Sequence, residues 1–198
     1  MLIRTVLIAI LLAAWPLSVH AEQTKEETKL QTRPTVVMET SMGKIRIELF
    51  VEEAPITTAN FRRYVKESFY DGLILHRVMR TFVIQGGGFL PGMERRPPTH
   101  PPIENEAASG MTNKRGTLSM ARTNNINSAT SQFFINLKDN ATLDHRGESP
   151  ARFGYAVFGR VIEGMEVVDT IAATATTSVG RYRNVPEKDI VIIKSYEE

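Results

Sequence analysis

Apolar and polar positions alternate with a period of two along much of this chain. Val36, Val37 and Met38 lead into Ser41-Met42-Gly43, after which Ile45, Ile47 and Leu49 alternate with Lys44, Arg46 and Glu48. Two strands joined by a tight turn fit that pattern. The period then changes. Pro55 opens a stretch with Phe61, Tyr64, Val65 and Phe69 at helical spacing, which predicts one amphipathic helix with proline in its first turn. Further strands are expected at 117–122, 131–136, 155–162 and 190–196, and a second helix from Gly164 to about Ala173. Phe133 and Phe134 are adjacent on one of those strands, so one should enter the core and the other line a surface cleft. Many strands and two helices predict a mainly β fold: a closed antiparallel barrel whose open ends the helices cap.

Residues 73 to 89 stand out against this background. The run Leu-Ile-Leu-His-Arg-Val-Met-Arg-Thr-Phe-Val-Ile-Gln-Gly-Gly-Gly-Phe is apolar and β-prone, yet it carries a cation at Arg77. A charge in such a run is costly to bury unless something requires it. Two readings stand. Arg77 is a working residue, or it lies on the solvent face of a half-buried strand, because Leu73, Leu75, Arg77 and Met79 alternate with Ile74, His76 and Val78. Gly86-Gly87-Gly88 has neither the spacing of a dinucleotide fingerprint nor a Gly-Lys-Ser/Thr ending, so it signals a sharp bend or a close backbone approach.

Breakers bound the rest. Five prolines and three glycines between residues 90 and 116 leave room for a long ordered loop with short turns, in which His100 reads as exposed. A second loop covers 138–152. At the other end, Arg4 precedes an apolar run from Thr5 to Trp15, Pro16 breaks it, and Val19-His20-Ala21 fits a cleavage site. Residues 1–21 therefore read as a secretory signal peptide, whose apolar run from Thr5 to Trp15 is shorter than the roughly 20 residues that span a bilayer. Residues 22–34 are polar and predict a flexible mature N-terminus ahead of a domain at 35–197. No membrane anchor is expected after cleavage.

Composition narrows the chemistry. The 198 residues carry 24 basic and 22 acidic side chains, a formal charge of +2, with no basic block that would indicate nucleic acid. Cysteine is absent, which removes disulfides, thiol nucleophiles and thiolate metal sites. His76, His100 and His145 are scattered without ligand spacing, and no Gly-x-Ser-x-Gly marks an activated serine. Asp144 beside His145 reads as a solvated loop pair. The inward positions are apolar, against a barrel that holds a polar ligand. Without a long apolar surface stripe, a monomer is expected.

His76-Arg77-Val78, Phe82 to Phe89, Leu118-Ser119-Met120-Ala121-Arg122, Ser131-Gln132-Phe133-Phe134-Ile135 and Val157-Phe158-Gly159-Arg160-Val161 occur in an order and spacing that resembles the cyclophilin family of peptidyl-prolyl isomerases. With the leader, the resemblance is to the periplasmic cyclophilins of Gram-negative bacteria. It implies an eight-stranded antiparallel barrel capped by two helices, with a peptide groove on its outer surface. Carried over by position, Arg77 is the catalytic arginine, and Phe82, Val83, Phe134 and Leu143 line a proline pocket. Gln85, Ala121, Arg122 and Gln132 border the groove. Tyr155 stands where a histidine is common at the pocket edge, and Thr142 where a tryptophan often contacts cyclosporin; both imply weak or no cyclosporin binding.

The resemblance implies a periplasmic catalyst acting on unfolded exported proteins with exposed X-Pro bonds. It needs no cofactor, metal or nucleophile. An arginine can donate to the prolyl nitrogen once twisting restores its lone pair, which is selective binding of the transition state. The alternative is a proline-peptide-binding chaperone module that uses the same groove without turnover.

Overall fold

The computed structural model describes residues 33–198. The leader, its cleavage point and the polar stretch up to residue 32 lie outside the described residues. Strands β1 (Thr35–Thr40) and β2 (Gly43–Leu49) form the expected hairpin. Thr40 ties its turn, accepting from the Met42 amide at 3.1 Å and donating to the Gly43 carbonyl at 2.7 Å. Helix α1 (Pro55–Lys66) follows and buries Phe61, Tyr64 and Val65.

Six short strands come next: β3 (Arg77–Val78), β4 (Val83–Gly86), β5 (Phe89–Leu90), β6 (Glu94–Arg95), β7 (Thr117–Met120) and β8 (Phe133–Asn136). The chain ends with β9 (Val157–Glu163), α2 (Met165–Ala172), the hairpin β10 (Thr176–Val179) and β11 (Tyr182–Pro186), and β12 (Ile192–Glu197). The β10–β11 hairpin is an element the hydrophobic pattern did not predict. Most of its residues are exposed, so no apolar alternation marked it.

Eight strands make one antiparallel sheet in the order β12-β1-β2-β9-β7-β8-β4-β3. Its two edges meet outside the regular ladders. Gly72 N donates to Ile192 O at 2.8 Å, Leu75 N to Ile190 O at 2.9 Å, and Ile192 N to Leu73 O at 2.8 Å. The curled sheet with two helices is the architecture expected, but residues 73–76 form this irregular seam and only Arg77–Val78 of the early run is a ladder strand. Helix α1 packs against β12 and β9, and α2 against β2 and β4.

An aromatic cluster fills one end of the core. Phe61 lies 5.3 Å from Tyr70, 5.7 Å edge-on from Phe133 and 4.9 Å from Phe158, measured between ring centroids. Such pairs contribute beyond their buried area. The phenol of the buried Tyr70 donates to the Ser131 carbonyl at 2.9 Å, so the cluster also fixes the entry to β8.

The long proline-rich loop is fastened to α1 at both ends of the helix. Glu106 accepts from Ile56 N at 3.0 Å, Thr57 N at 2.7 Å and Thr57 Oγ1 at 2.6 Å, supplying a carboxylate to amides that have no partner within the helix. At the other end His100 contradicts the exposed reading. It is half-buried, its ring edge-on to Tyr64 at 5.2 Å and its Nε2 2.8 Å from a Glu67 oxygen.

Candidate active site

The register of four strands builds the site. Arg77 on β3 pairs with Gln85 on β4, Gln85 with Phe134 on β8, and Phe134 with Ser119 on β7. Residues directly opposite in antiparallel strands point to the same face. Val78, Ile84, Ile135 and Leu118 form the neighbouring row, and all four are buried in the core. Arg77, Gln85 and Phe134 therefore lie on the outer face of the barrel, which settles the orientation that the pattern around Arg77 left open. Phe133 joins the core cluster and Phe134 does not.

The triple glycine makes the close approach that its composition signalled. A Cβ on Gly87 would sit 2.6 Å from the Ser131 carbonyl oxygen, and Gly87 has φ +84°, where side chains are strained. A Cβ on Gly88 would meet the Gln132 amide at 2.5 Å. Ser131 Oγ closes the junction by donating to Gly87 O at 2.8 Å. Gln132 is thereby laid beside β4, where its Oε1 accepts from Gln85 Nε2 at 2.9 Å, while Arg77 Nη1 reaches Gln85 Oε1 at a long 3.4 Å. Among the described residues Arg77 has no carboxylate partner, and most of its donors are uncommitted.

Beside this polar row lies the apolar part. Phe134 meets Tyr155 edge-on at 5.5 Å, and Tyr155 N donates to Leu143 O at 3.0 Å. Val83 lies two residues before Gln85 and shares its face. Phe82 closes the turn from β3 to β4, its amide donating to Met79 O at 2.8 Å. Ala121 is joined to Gln132 through its amide at 2.9 Å. Arg122 stacks 4.8 Å over the Tyr155 ring and donates to the carbonyls of Gly154 at 2.9 Å and Pro150 at 2.7 Å. Its donors hold the second loop rather than facing outward.

A buried amide network behind the apolar part escaped the sequence reading. Asn113 Oδ1 accepts from Ser119 Oγ at 2.8 Å and Asn136 Nδ2 at 3.2 Å, while Asn113 N donates to Asp144 at 2.7 Å. Asn140 Nδ2 donates to Phe82 O at 3.0 Å and to Asn136 Oδ1 at 2.8 Å. These bonds hold the segment that carries Leu143 and the turn that carries Phe82. Asp144 and His145 do not act as a pair: His145 Nδ1 lies 2.9 Å from the Phe153 carbonyl instead. The cue was three asparagines near predicted strand ends, too common to single out.

A cavity of about 480 Å³ adjoins Arg77, Gln85 and Gln132. Its lining includes His76 and Phe89, whose rings lie 4.5 Å apart, and residues 181–183 of the unpredicted hairpin. Burial, reinforced by the neighbouring Arg77 charge, lowers the His76 pKa to about 4, so this ring is neutral near pH 7. Among the described residues no three His, Asp or Glu side chains gather to hold a metal ion.

A curled eight-stranded antiparallel sheet whose outer face carries a cation, two glutamines and an edge-on aromatic pair defines a class of antiparallel β-barrel. Residues 35–197 match the family model for the cyclophilin type peptidyl-prolyl cis-trans isomerases, and the chain belongs to that family and is a peptidyl-prolyl cis-trans isomerase. It is 52% identical over 161 residues to peptidyl-prolyl cis-trans isomerase A of Dickeya dadantii, covering 81% of this chain and 83% of that one. With peptidyl-prolyl cis-trans isomerase B of Escherichia coli it shares 49% over 157 residues, 79% of this chain and 95% of that one. A crystal structure of a Cryptosporidium parvum cyclophilin superposes with a TM-score of 0.68 at 24% identity, covering 83% of this chain and 97% of that chain, a likeness of fold.

Proposed function

We propose that this isomerase acts on exposed X-Pro bonds of exported proteins in the periplasm, with Arg77 as its catalytic residue. The observation that carries the reading is Arg77 itself, set on the outer face in one row with Gln85 and Phe134 and left with uncommitted donors. The amide barrier of about 18–20 kcal/mol comes from resonance between the nitrogen lone pair and the carbonyl. As the bond twists, the prolyl nitrogen becomes pyramidal and regains that lone pair. A guanidinium that donates to it there gains a bond hardly available in the planar ground state. One such preorganised donor is worth about 100- to 1000-fold in rate.

The remaining residues divide the work. Phe134, Leu143, Tyr155, Phe82 and Val83 hold the proline ring. Gln85 orients Arg77 and is held in turn by Gln132. Ala121 borders the groove, and Arg122 keeps Tyr155 and the second loop in place. The apolar leader before Ala21 supports export, and uncatalysed prolyl isomerisation at tens to hundreds of seconds is slow enough to limit folding of exported clients.

Exchange NMR on a short Ala-Pro peptide tests the assignment. The intact chain should drive fast cis/trans exchange, and Arg77→Ala should lower it at least tenfold while still binding the peptide. Equal exchange rates in the two proteins would remove Arg77 from the mechanism. Binding without exchange by the intact chain would leave a peptide-binding chaperone module.

A further inference from the structure

The cavity beside Arg77 is walled by an excess of positive charge. Arg77, Arg95, Arg181 and Arg183 line it, and no carboxylate does. Elsewhere arginines are commonly neutralised: Arg33, Arg46, Arg62, Arg115 and Arg160 each pair with a glutamate or aspartate. The four at the cavity make no ion pair among the described residues. Arg181 reaches only the Tyr182 hydroxyl at 3.2 Å, Arg183 only Ser178 Oγ at 3.3 Å, and Arg77 only Gln85.

Arg77, Arg95 and Arg183 lie on strands, and the exposed Arg181 lies in the two-residue turn that joins β10 to β11. Phe89 meets Tyr182 edge-on at 5.2 Å and His76 at 4.5 Å, which seats the β10–β11 hairpin on the strand pair that carries Arg95. Four uncompensated guanidinium groups around one concavity sum to a positive potential that favours an anionic group there. Guanidinium forks match carboxylates in geometry.

We propose that this cavity is a specificity subsite that takes an acidic side chain, Asp or Glu, of the peptide being isomerised. The subsite rests on the reading of Arg77 as the residue at the X-Pro bond, because Arg77 belongs to both the groove and the cavity wall. A peptide whose proline sits against Phe134 continues past Arg77, and a carboxylate a few residues from that proline reaches Arg181 and Arg183. Clients with an acidic residue near proline are then bound more tightly than neutral ones.

The test uses the full chain and pairs of Ala-Pro peptides that differ only by Glu or Gln, placed two or three residues from the proline on either side. Affinity is measured by titration and turnover by exchange NMR. For at least one placement the Glu peptide should bind about twofold to fivefold tighter, the size expected of exposed charge pairs. The preference should shrink at about 1 M salt, where the Debye length is about 3 Å. It should vanish in Arg181→Gln/Arg183→Gln and turn toward a Lys peptide in Arg181→Glu/Arg183→Glu. Equal affinities for Glu and Gln at every placement overturn the subsite, as does a preference that survives both double variants. A Glu preference in binding without exchange of any peptide keeps the subsite and removes the catalytic reading instead.

Discussion

The two faces of one short stretch of sheet do different work. Across β3, β4, β8 and β7 the inward row of Val78, Ile84, Ile135 and Leu118 is apolar and fully packed, while the outward row of Arg77, Gln85, Phe134 and Ser119 is polar or aromatic. Successive residues of a strand point to opposite faces, so the same four strands form the core wall and also carry the proposed groove residues Arg77, Gln85 and Phe134, with Ser119 buried behind them in the amide network. The pairs Arg77 and Val78, or Phe134 and Ile135, are neighbours in sequence with separate tasks. Fold and site are thus coupled by register, since a slip of one residue would bury Arg77 and expose Val78.

The sharpest way to break that division is on β8. Ile135→Ala removes a side chain that is 1% exposed and should cost about 2–5 kcal/mol of stability, read as a shift of the urea midpoint. Phe134 is itself 5% exposed, so Phe134→Ala should also lose stability, but unlike Ile135→Ala it should in addition lower peptide affinity per folded molecule at least tenfold. Equal stability losses without loss of affinity in Phe134→Ala would erase the distinction between the faces.

His76 gives an effect of similar size under acid. Its folded pKa of about 4 lies below the usual 6.5, so the unfolded chain takes up a proton that the native chain refuses. The contribution is fully present above about pH 6.5 and is lost as pH falls toward about 4, to a total of about 3 kcal/mol. Denaturant titrations between those limits should show that slope, and His76→Gln should flatten it.

The smallest expected effect lies far from the groove. Arg62 donates to Glu197 through Nε at 2.7 Å and Nη2 at 3.1 Å, a bond that lowers the carboxylate pKa. Both side chains are partly exposed, and Glu197→Gln should cost below about 1 kcal/mol near pH 7. That contribution is present above the ordinary carboxylate range and fades as pH falls through the lowered pKa. Peptide exchange per folded molecule should not change.

Much of this could be read from the chain because strand alternation and turn chemistry are local. The β1–β2 hairpin, α1 with its leading proline, and the separate fates of Phe133 and Phe134 all follow from spacing over a few residues. The glycines at 86–88 signalled close approach, and the structure supplies the partners in Ser131 and Gln132. What escaped depends on distant or exposed residues. Asn113, Asn136 and Asn140 meet only after folding, and β10–β11 has too little buried surface to imprint a hydrophobic period. His100 looked exposed among prolines, yet Tyr64 and Glu67 on α1 claim it.

Arg77 and Val78 supply the most direct measurement of the division between faces. Arg77→Ala and Val78→Ala are compared for unfolding free energy and for peptide exchange per folded molecule. Arg77→Ala should lose at least tenfold in exchange with stability within about 0.5 kcal/mol of the parent, as for a surface change. Val78→Ala should lose about 1–3 kcal/mol of stability and keep its exchange rate. Full exchange in Arg77→Ala, or a loss explained entirely by unfolding, would contradict the account.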